Sequence, residues 1–375
     1  MDRWRKAAAA LRHILFLLPA AAAALLFALL PRHPEFTETV IARVLFRAVA
    51  VPLGFLTSLV SFSLTELCAA LALPSLIVLA ALLIHRLLRS GCRARTLARA
   101  GKAVGWFLSV ALLFYTMLHG LNFYRLPLSD LMDLDTSPKS PAYLQAVCMD
   151  LARRASTERD ALSTDENGLT VLSQSVGDTL RMAGEGYRPL TEEYPFLFGT
   201  VWRAKPVRLS HWWSYTGITG MYFPFFAEAN VNIDQPPLDI PSTAAHELAH
   251  TRGFAREDEC NFLAALSCFS HPSADYRYSG YLMAYIYCAN ALYAYDQEMW
   301  AETQEACSDG MKADMRERNR YWKQFEGKVQ ETSTSINNSF IEIQGDDDGV
   351  LSYDRVVELL LAFYEKEGWV PADGA

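Results

Sequence analysis

The residues best suited to chemistry stand in one short run, His246-Glu247-Leu248-Ala249-His250. On an α-helix, residues four apart lie on one face, so His246 and His250 can both bind one Zn²⁺. Glu247 projects about 100° away from His246. From there it can take a proton from a water at the metal and pass it to the leaving group. The pattern is typical of zinc-dependent hydrolases, and the competing interpretation is a structural pair of histidines.

A catalytic zinc needs a third protein ligand and an open position. Gly253 tolerates the left-handed conformation that ends a helix, so we expect the chain to turn back there. Glu257 would then open a second helix and face the histidines as the third ligand. Glu259 is the alternative ligand, on a different face of that helix. Asn261, one turn after Glu257, is expected to accept a hydrogen bond from a ligand histidine.

Three tyrosines follow the second helix, and their hydroxyls are candidates to stabilise the oxyanion that forms when water attacks a carbonyl. These are Tyr276, Tyr278 and Tyr281, of which Tyr278 and Tyr281 are retained as candidate site residues. The competing interpretation for each is aromatic packing.

The elements that must position these residues are mainly helical. Prolines at 236, 237 and 241 are expected to interrupt the chain before the histidine-bearing helix, with Ser242 or Thr243 as its N-cap. The second helix is expected to start near Ala255. Further helices are expected over 142–162, 169–183 and 281–300, and a short strand over 226–233, where apolar and polar residues alternate.

The net charge of −8 conceals two regions of different composition. The first 125 residues are apolar and carry mostly basic charges, whereas the remainder is acidic. An acidic globular part argues against nucleic acid as a partner. The seven cysteines form no spaced framework, which argues against a disulfide scaffold.

Three apolar runs predict transmembrane helices, at about 14–30, 67–84 and 104–121. For the first run the competing interpretation is a cleaved signal peptide, and the two further apolar runs favour a retained anchor. The run at 38–63 is interrupted by charges and proline, and is expected to lie along the membrane interface or against the spanning helices. Residues 125–141 are expected to form a linker, and 142–375 a globular domain. Basic residues concentrate before the first span and over 86–102, which predicts a cytoplasmic N-terminus and a globular domain outside the cytoplasmic membrane.

Four segments resemble a known bacterial family: 220–225, 227–232, 246–259 and 277–281. The chain resembles the domain of unknown function 3810, from the first apolar segment almost to the C-terminus. The resemblance implies a membrane protein with a zincin-type metallopeptidase domain, in which a strand edge beside the active-site helix pairs with the substrate backbone. The step from Glu257 to Asn261 is similar to the Glu-x-x-x-Asp step of gluzincins, with asparagine in place of aspartate.

These observations lead to one expected fold and one expected function. We expect a three-helix membrane anchor followed by a mainly α, zincin-like α+β domain with a small sheet beside the active-site helix. The expected activity is zinc-dependent hydrolysis of an extracytoplasmic peptide or protein. The alternative is a catalytically silent sensor or scaffold in the cell envelope. An intramembrane protease is disfavoured because the residues around the histidines are polar.

Overall fold

Helices dominate the structure, a computed structural model that describes residues 14–343 and 352–369. Apolar helices precede a globular part that contains a three-stranded sheet. The first four helices are α1 (Leu18–Leu29), α2 (Pro34–Thr57), α3 (Leu64–Arg89) and α4 (Arg93–Leu118). The basic residues expected before the first span lie outside the described residues.

Four helical segments of the described chain are long and apolar enough to cross a membrane, one more than the sequence predicted. The additional one is α2, which is π-helical over Thr37–Phe46 and α-helical from Arg47. Its charges made it look interrupted, but they have partners inside the protein. Arg43 pairs with Glu38 at 2.8 Å, and Arg47 donates to the carbonyl of Phe196 at 2.7 Å.

Helix α2 contacts the globular part along most of its length. Besides the Arg47 contact, Thr200 donates to the carbonyl of Val51 at 3.0 Å, and the Lys205 ammonium donates to the carbonyl of Thr57 at 2.8 Å. Helix α2 is therefore held against the globular part by these hydrogen bonds. By contrast, α3 leaves its apolar side chains exposed, as Leu73 shows with 66% exposure.

Helices α3 and α4 form a hairpin with a tight connection at residues 90–92. The expected basic loop over 86–102 is therefore mostly helical, and its basic residues extend the two helices at the same end. At the opposite end, Ser63 caps α3 by accepting from the backbone N–H of Glu66. That end of the hairpin meets the globular part.

The globular part is built on packed helices. The segment expected as a linker, 125–141, contributes Leu128, Met132 and Leu134 to the main core. The central helices are α6 (Pro141–Asp160), α10 (Ile240–Thr251), α11 (Glu257–Phe269) and α12 (Ala274–Tyr295), and they pack against one another. The others are α5 (Leu128–Leu131), α7 (Val176–Met182), α8 (Tyr187–Glu193), α9 (Ser210–Ser214), α13 (Gln297–Thr303), α14 (Asp309–Lys323), α15 (Lys328–Ile343) and α16 (Ser352–Lys366).

The small sheet has the order β1-β3-β2, with β1 (Lys205–Val207), β2 (Gly220–Phe223) and β3 (Glu228–Asn232). Strand β3 pairs in parallel with β1 and antiparallel with β2. The strand expected over 226–233 is therefore present, but it is central. The free edge beside α10 belongs to β2, because β2 is the outer strand that contacts that helix.

Strand β3 is bound to the start of α3 through Glu228. The carboxylate accepts from the backbone N–H of Thr65 at 3.0 Å and from its hydroxyl at 2.9 Å. Lys205 on β1 donates to the same carboxylate. A carboxylate at a helix N-terminus is stabilised by the unpaired N–H groups there. This buried group of Glu228, Lys205 and Thr65, the sheet–helix clamp, joins the sheet to the apolar hairpin.

The histidine-bearing helix begins earlier than expected. It starts at Ile240, with Asp239 as the N-cap residue and Pro241 within the first turn. Proline is tolerated there because the first helical N–H groups have no intrahelical partner. Ser242 therefore lies inside the helix. The helix expected over 169–183 is confined to α7, and the one expected over 281–300 begins earlier, at Ala274.

Candidate metal centre

Helix α10 brings the two histidines together as their spacing predicts. Their Nε2 atoms lie 3.2 Å apart, one turn above the other. The helix ends at Thr251, and Gly253 adopts a φ of +85°, which turns the chain toward α11. A residue with a Cβ would be strained at that angle. The expected end of the helix at Gly253 is therefore confirmed.

The third member of the group is Glu257, at the first position of α11. Its carboxylate oxygens lie 3.1 Å from His246 Nε2 and 3.7 Å from His250 Nε2. Within the described chain, His246, His250 and Glu257 form a group whose ligand atoms all lie within 4.8 Å of one another. Burial alone would raise the pKa of Glu257, but its hydrogen bond with His246 and the nearby imidazoles lower it to about 2.

The other nitrogen of each histidine contacts an oxygen. His250 Nδ1 lies 2.9 Å from the carbonyl of Phe254, which can only accept, and His246 Nδ1 lies 2.8 Å from Asn261 Oδ1. Both Nδ1 atoms therefore donate, so each Nε2 is the nitrogen left to act as a metal ligand once it carries no proton, and both Nε2 atoms face the same point. Two imidazole lone pairs and a carboxylate make a donor set that suits Zn²⁺. The contact expected of Asn261 is present.

Glu247 is buried beside the ligand group formed by His246, His250 and Glu257, with 3% of its surface exposed. It lies against Gly220, where a Cβ would collide with its carboxylate. The backbone N–H of Tyr222 donates to it, whereas Glu247 Oε2 has no hydrogen-bond partner among the described residues. Burial raises the pKa of Glu247 to about 8, with the charge of His246 opposing that rise. A carboxylate with a pKa in this range can both accept and return a proton near neutral pH.

The remaining predicted residues lie in other surroundings. Glu259 accepts from the backbone N–H of Leu128 at 2.8 Å and from Arg256 at 2.7 Å, so its carboxylate supports the chain entering α5. The Tyr278 hydroxyl donates to Asp314 at 2.8 Å. The Tyr281 ring stacks on Phe269, with ring centroids 4.4 Å apart.

Two residues that the sequence analysis did not assign lie against the ligand group. His119 directly follows α4, and its ring centroid lies 5.9 Å from that of His250. Tyr222 on β2 stacks on His250, with centroids 6.0 Å apart and an interplanar angle of 22°. A signal for His119 was present, because it lies within the apolar run at 104–121, and ionisable residues in such runs are usually functional. For Tyr222 the signal was weaker: it lies in the segment 220–225 that resembles the family, but nothing in that segment indicated a contact with the histidines.

The turn after α10 is supported by the apolar region. Arg125 donates to the carbonyl of Gly253 at 2.6 Å and pairs with Glu38 of α2 at 2.7 Å. Phe46 packs so closely on Gly253 that an added Cβ would lie 2.9 Å from its ring. The position of Glu257 therefore depends on residues far upstream in the sequence.

Comparison with known proteins identifies the family of this chain. A family model described as "Protein of unknown function (DUF3810)" matches residues 42–361, which is most of the chain. The chain belongs to this family. No curated protein and no solved structure matches it. The matched range includes α3, α4, the sheet and the whole ligand group, so these parts belong to one family unit.

Proposed function

We propose that this DUF3810 protein is a membrane-anchored zinc metallopeptidase that hydrolyses peptide bonds of an extracytoplasmic polypeptide. The observation that carries the proposal is the convergence of His246 Nε2, His250 Nε2 and the Glu257 carboxylate, with both Nδ1 atoms held by oxygen acceptors. Zn²⁺ in such a site supplies Lewis-acid polarisation of a carbonyl group and of water. The chain's own residues supply the rest.

Glu247 is the group that moves the proton. Its unpartnered Oε2 can accept a proton from the attacking water and then deliver it to the departing amine. The N–H of Tyr222 fixes the other end of that carboxylate, so the orientation of Glu247 is set before substrate arrives. The burial of Glu247 also keeps competing water away from the proton.

Strand β2 offers a surface for an extended substrate. The backbone N–H of Asn232 in β3 donates to the carbonyl of Thr219 at 2.8 Å, so this pair of residues is hydrogen-bonded. In an antiparallel pair, successive residues direct their backbone N–H and C=O groups alternately toward and away from the partner strand. Gly220 and Tyr222 therefore direct these groups away from β3 and toward α10. The N–H of Tyr222 already donates to Glu247, so a peptide added along this edge would pair with the remaining outward backbone groups of β2, and its backbone would lie beside the ligand group.

The test uses the full chain, purified in detergent and loaded with zinc. We expect one zinc per chain in the wild type and in Glu247→Gln, with peptide-library turnover reduced by roughly 10²–10⁴ in that variant. Glu257→Ala should lose zinc, whereas the matched Glu259→Ala should keep it. Undiminished turnover in zinc-loaded Glu247→Gln would refute the proposal. Bound zinc without turnover in the wild type would favour the sensor or scaffold function.

A further inference from the structure

The ligand group lies at the end of an apolar helix. His119 is the residue directly after α4, and its ring is next to His250. The Tyr222 hydroxyl donates to the carbonyl of Leu118, the last residue of α4, at 3.3 Å. The candidate metal centre therefore lies beside the C-terminal end of α4, a helix that is long and apolar enough to cross a membrane.

Strand β2 connects this centre to the apolar surface. It begins at Gly220, against Glu247, and ends at Phe223, roughly 10 Å further along at the usual rise of a strand. Phe223 packs on Phe225, with centroids 5.3 Å apart, and Phe225 stacks on Phe114 of α4 at 6.3 Å. Phe114 is partly exposed on the apolar helix, slightly more than one turn before His119.

A second exposed aromatic group lies at the same end of the hairpin. Glu66, in the first turn of α3, accepts from the backbone N–H of Leu209 at 2.8 Å. Leu209 leads directly into the short helix α9, where Trp212 is 68% exposed, and Tyr215 beside it is also exposed. Exposed tryptophan and tyrosine at the end of an apolar helix are typical of the membrane–water interface.

We propose that the substrate is a membrane-anchored polypeptide, cleaved a few residues from the segment that lies in the bilayer. This inference rests on the proposed peptidase function and specifies its substrate. A chain extended along β2 passes from Glu247 to the aromatic residues at Phe223 and Phe225, and from there onto the exposed apolar face of α4. Apolar residues of the substrate would therefore stay in contact with protein or lipid over that whole path.

The reaction itself is hydrolysis. The oxygen of water bonds to the scissile carbonyl carbon, the C–N bond breaks, and Glu247 transfers the proton from water to the departing amine. Confinement of enzyme and substrate to one bilayer raises their effective concentration without any additional contact. An anchored substrate therefore meets the site more often than a free peptide at the same bulk concentration.

The first measurement locates strand β2 relative to the lipid without using activity. In full chain carrying Cys68→Ser and Cys92→Ser, a fluorophore is attached to Met221→Cys, and the protein is placed in vesicles that contain nitroxide-labelled lipid. We expect strong quenching at Met221→Cys and at Phe225→Cys. The control Glu166→Cys, in an exposed turn of the globular part that follows α6, should be quenched weakly. Equal quenching at 221 and 166 would overturn the proposal.

The second measurement identifies the substrate class. A mixed-sequence peptide library is prepared with and without a hydrophobic transmembrane helix, and zinc-loaded full chain in vesicles is incubated with each. We expect at least about tenfold faster cleavage of the anchored library, at bonds close to the anchor. Phe225→Ser should lower that preference while retaining zinc, and the exposed control Tyr295→Ser should not change it.

The outcomes separate the two proposals. Equal or faster cleavage of the free library, absent in Glu247→Gln, would leave the peptidase function in place and refute the membrane-anchored substrate. Cleavage of neither library would remove the peptidase function and, with it, this inference.

Discussion

Glu228 provides the sharpest test of how the sheet is held against the apolar hairpin. Its carboxylate and the Lys205 ammonium are 1% and 3% exposed, so neither charge has access to water. Burial lowers the pKa of Lys205, and the hydrogen bond and charge of Glu228 oppose that change. Glu228→Gln would leave a buried ammonium without its counter-charge, in a position where water cannot replace the lost partner.

The expected cost follows from that burial. Removal of one member of a buried ion pair destabilises a protein by about 3–5 kcal/mol. At about 2–4 °C per kcal/mol, the apparent Tm of the full chain in detergent should fall by 6–20 °C. The double variant Glu228→Gln/Lys205→Met should regain part of this loss, because it removes the unpaired charge.

The matched control is Glu66→Gln, which changes a second glutamate at the start of the same helix. Glu66 is partly exposed and accepts a single hydrogen bond, from Leu209, so its loss should cost about 1 kcal/mol or less. The assay is thermal unfolding of all variants at one pH and one detergent concentration. A fall for Glu228→Gln no larger than that for Glu66→Gln would refute the role assigned to the sheet–helix clamp.

Three further predictions concern the turn, the ligand support and acid stability. Gly253→Ala should lower the apparent Tm by more than Gly168→Ala, because both glycines have positive φ but only at Gly253 would the new Cβ meet a neighbour; equal losses would contradict this. Asn261→Leu should weaken zinc binding by about 10–100-fold in a competition titration, because a ligand histidine loses its acceptor; unchanged affinity would exclude that role. Burial lowers the pKa of His271, with its hydrogen bond to Met182 opposing, so the folded state binds this proton more weakly than the unfolded chain. Stability from His271 is therefore present above about pH 6.5 and lost as the pH falls below it, and His271→Asn should show a smaller loss of Tm between neutral and acid pH than the wild type.

The ligand group was predictable from the sequence because its geometry is local. The spacing of His246 and His250 is one helical turn, and Gly253 marks the turn that returns the chain to Glu257. Asn261 follows from the same helical period. None of these relations requires knowledge of a contact between distant parts of the chain.

The contacts that complete the site were not predictable, because they join distant segments. The position of His119 beside His250 depends on how the C-terminal end of α4 packs against the globular part. The alternation over 226–233 correctly predicted a strand, but alternation cannot distinguish a polar face in water from one buried against another helix. In β3 the polar residues Glu228 and Asn230 are buried, because they bind the start of α3.

Helix α2 shows that apolar segments, too, cannot be assigned fully from the sequence when their charged residues have distant partners. Hydropathy measures whether a run is apolar, and charges such as Arg43 and Arg47 count against a helix even when they have partners. Here Arg43 pairs within α2 and Arg47 binds the globular part, so the run is a continuous helix. The sequence identified the composition of this segment correctly, but the partners of its charges lie up to 149 positions away.

The sheet–helix clamp also has a consequence for the order of synthesis. Translation proceeds from the N-terminus, so α2, α3 and α4 leave the ribosome before any strand or ligand of the centre. The first partners of Glu228 and Arg125 are therefore already made when those residues emerge. Folding of the globular part is thereby coupled to prior formation of the apolar helices α2, α3 and α4, which supply the surface that Glu228 and Arg125 bind.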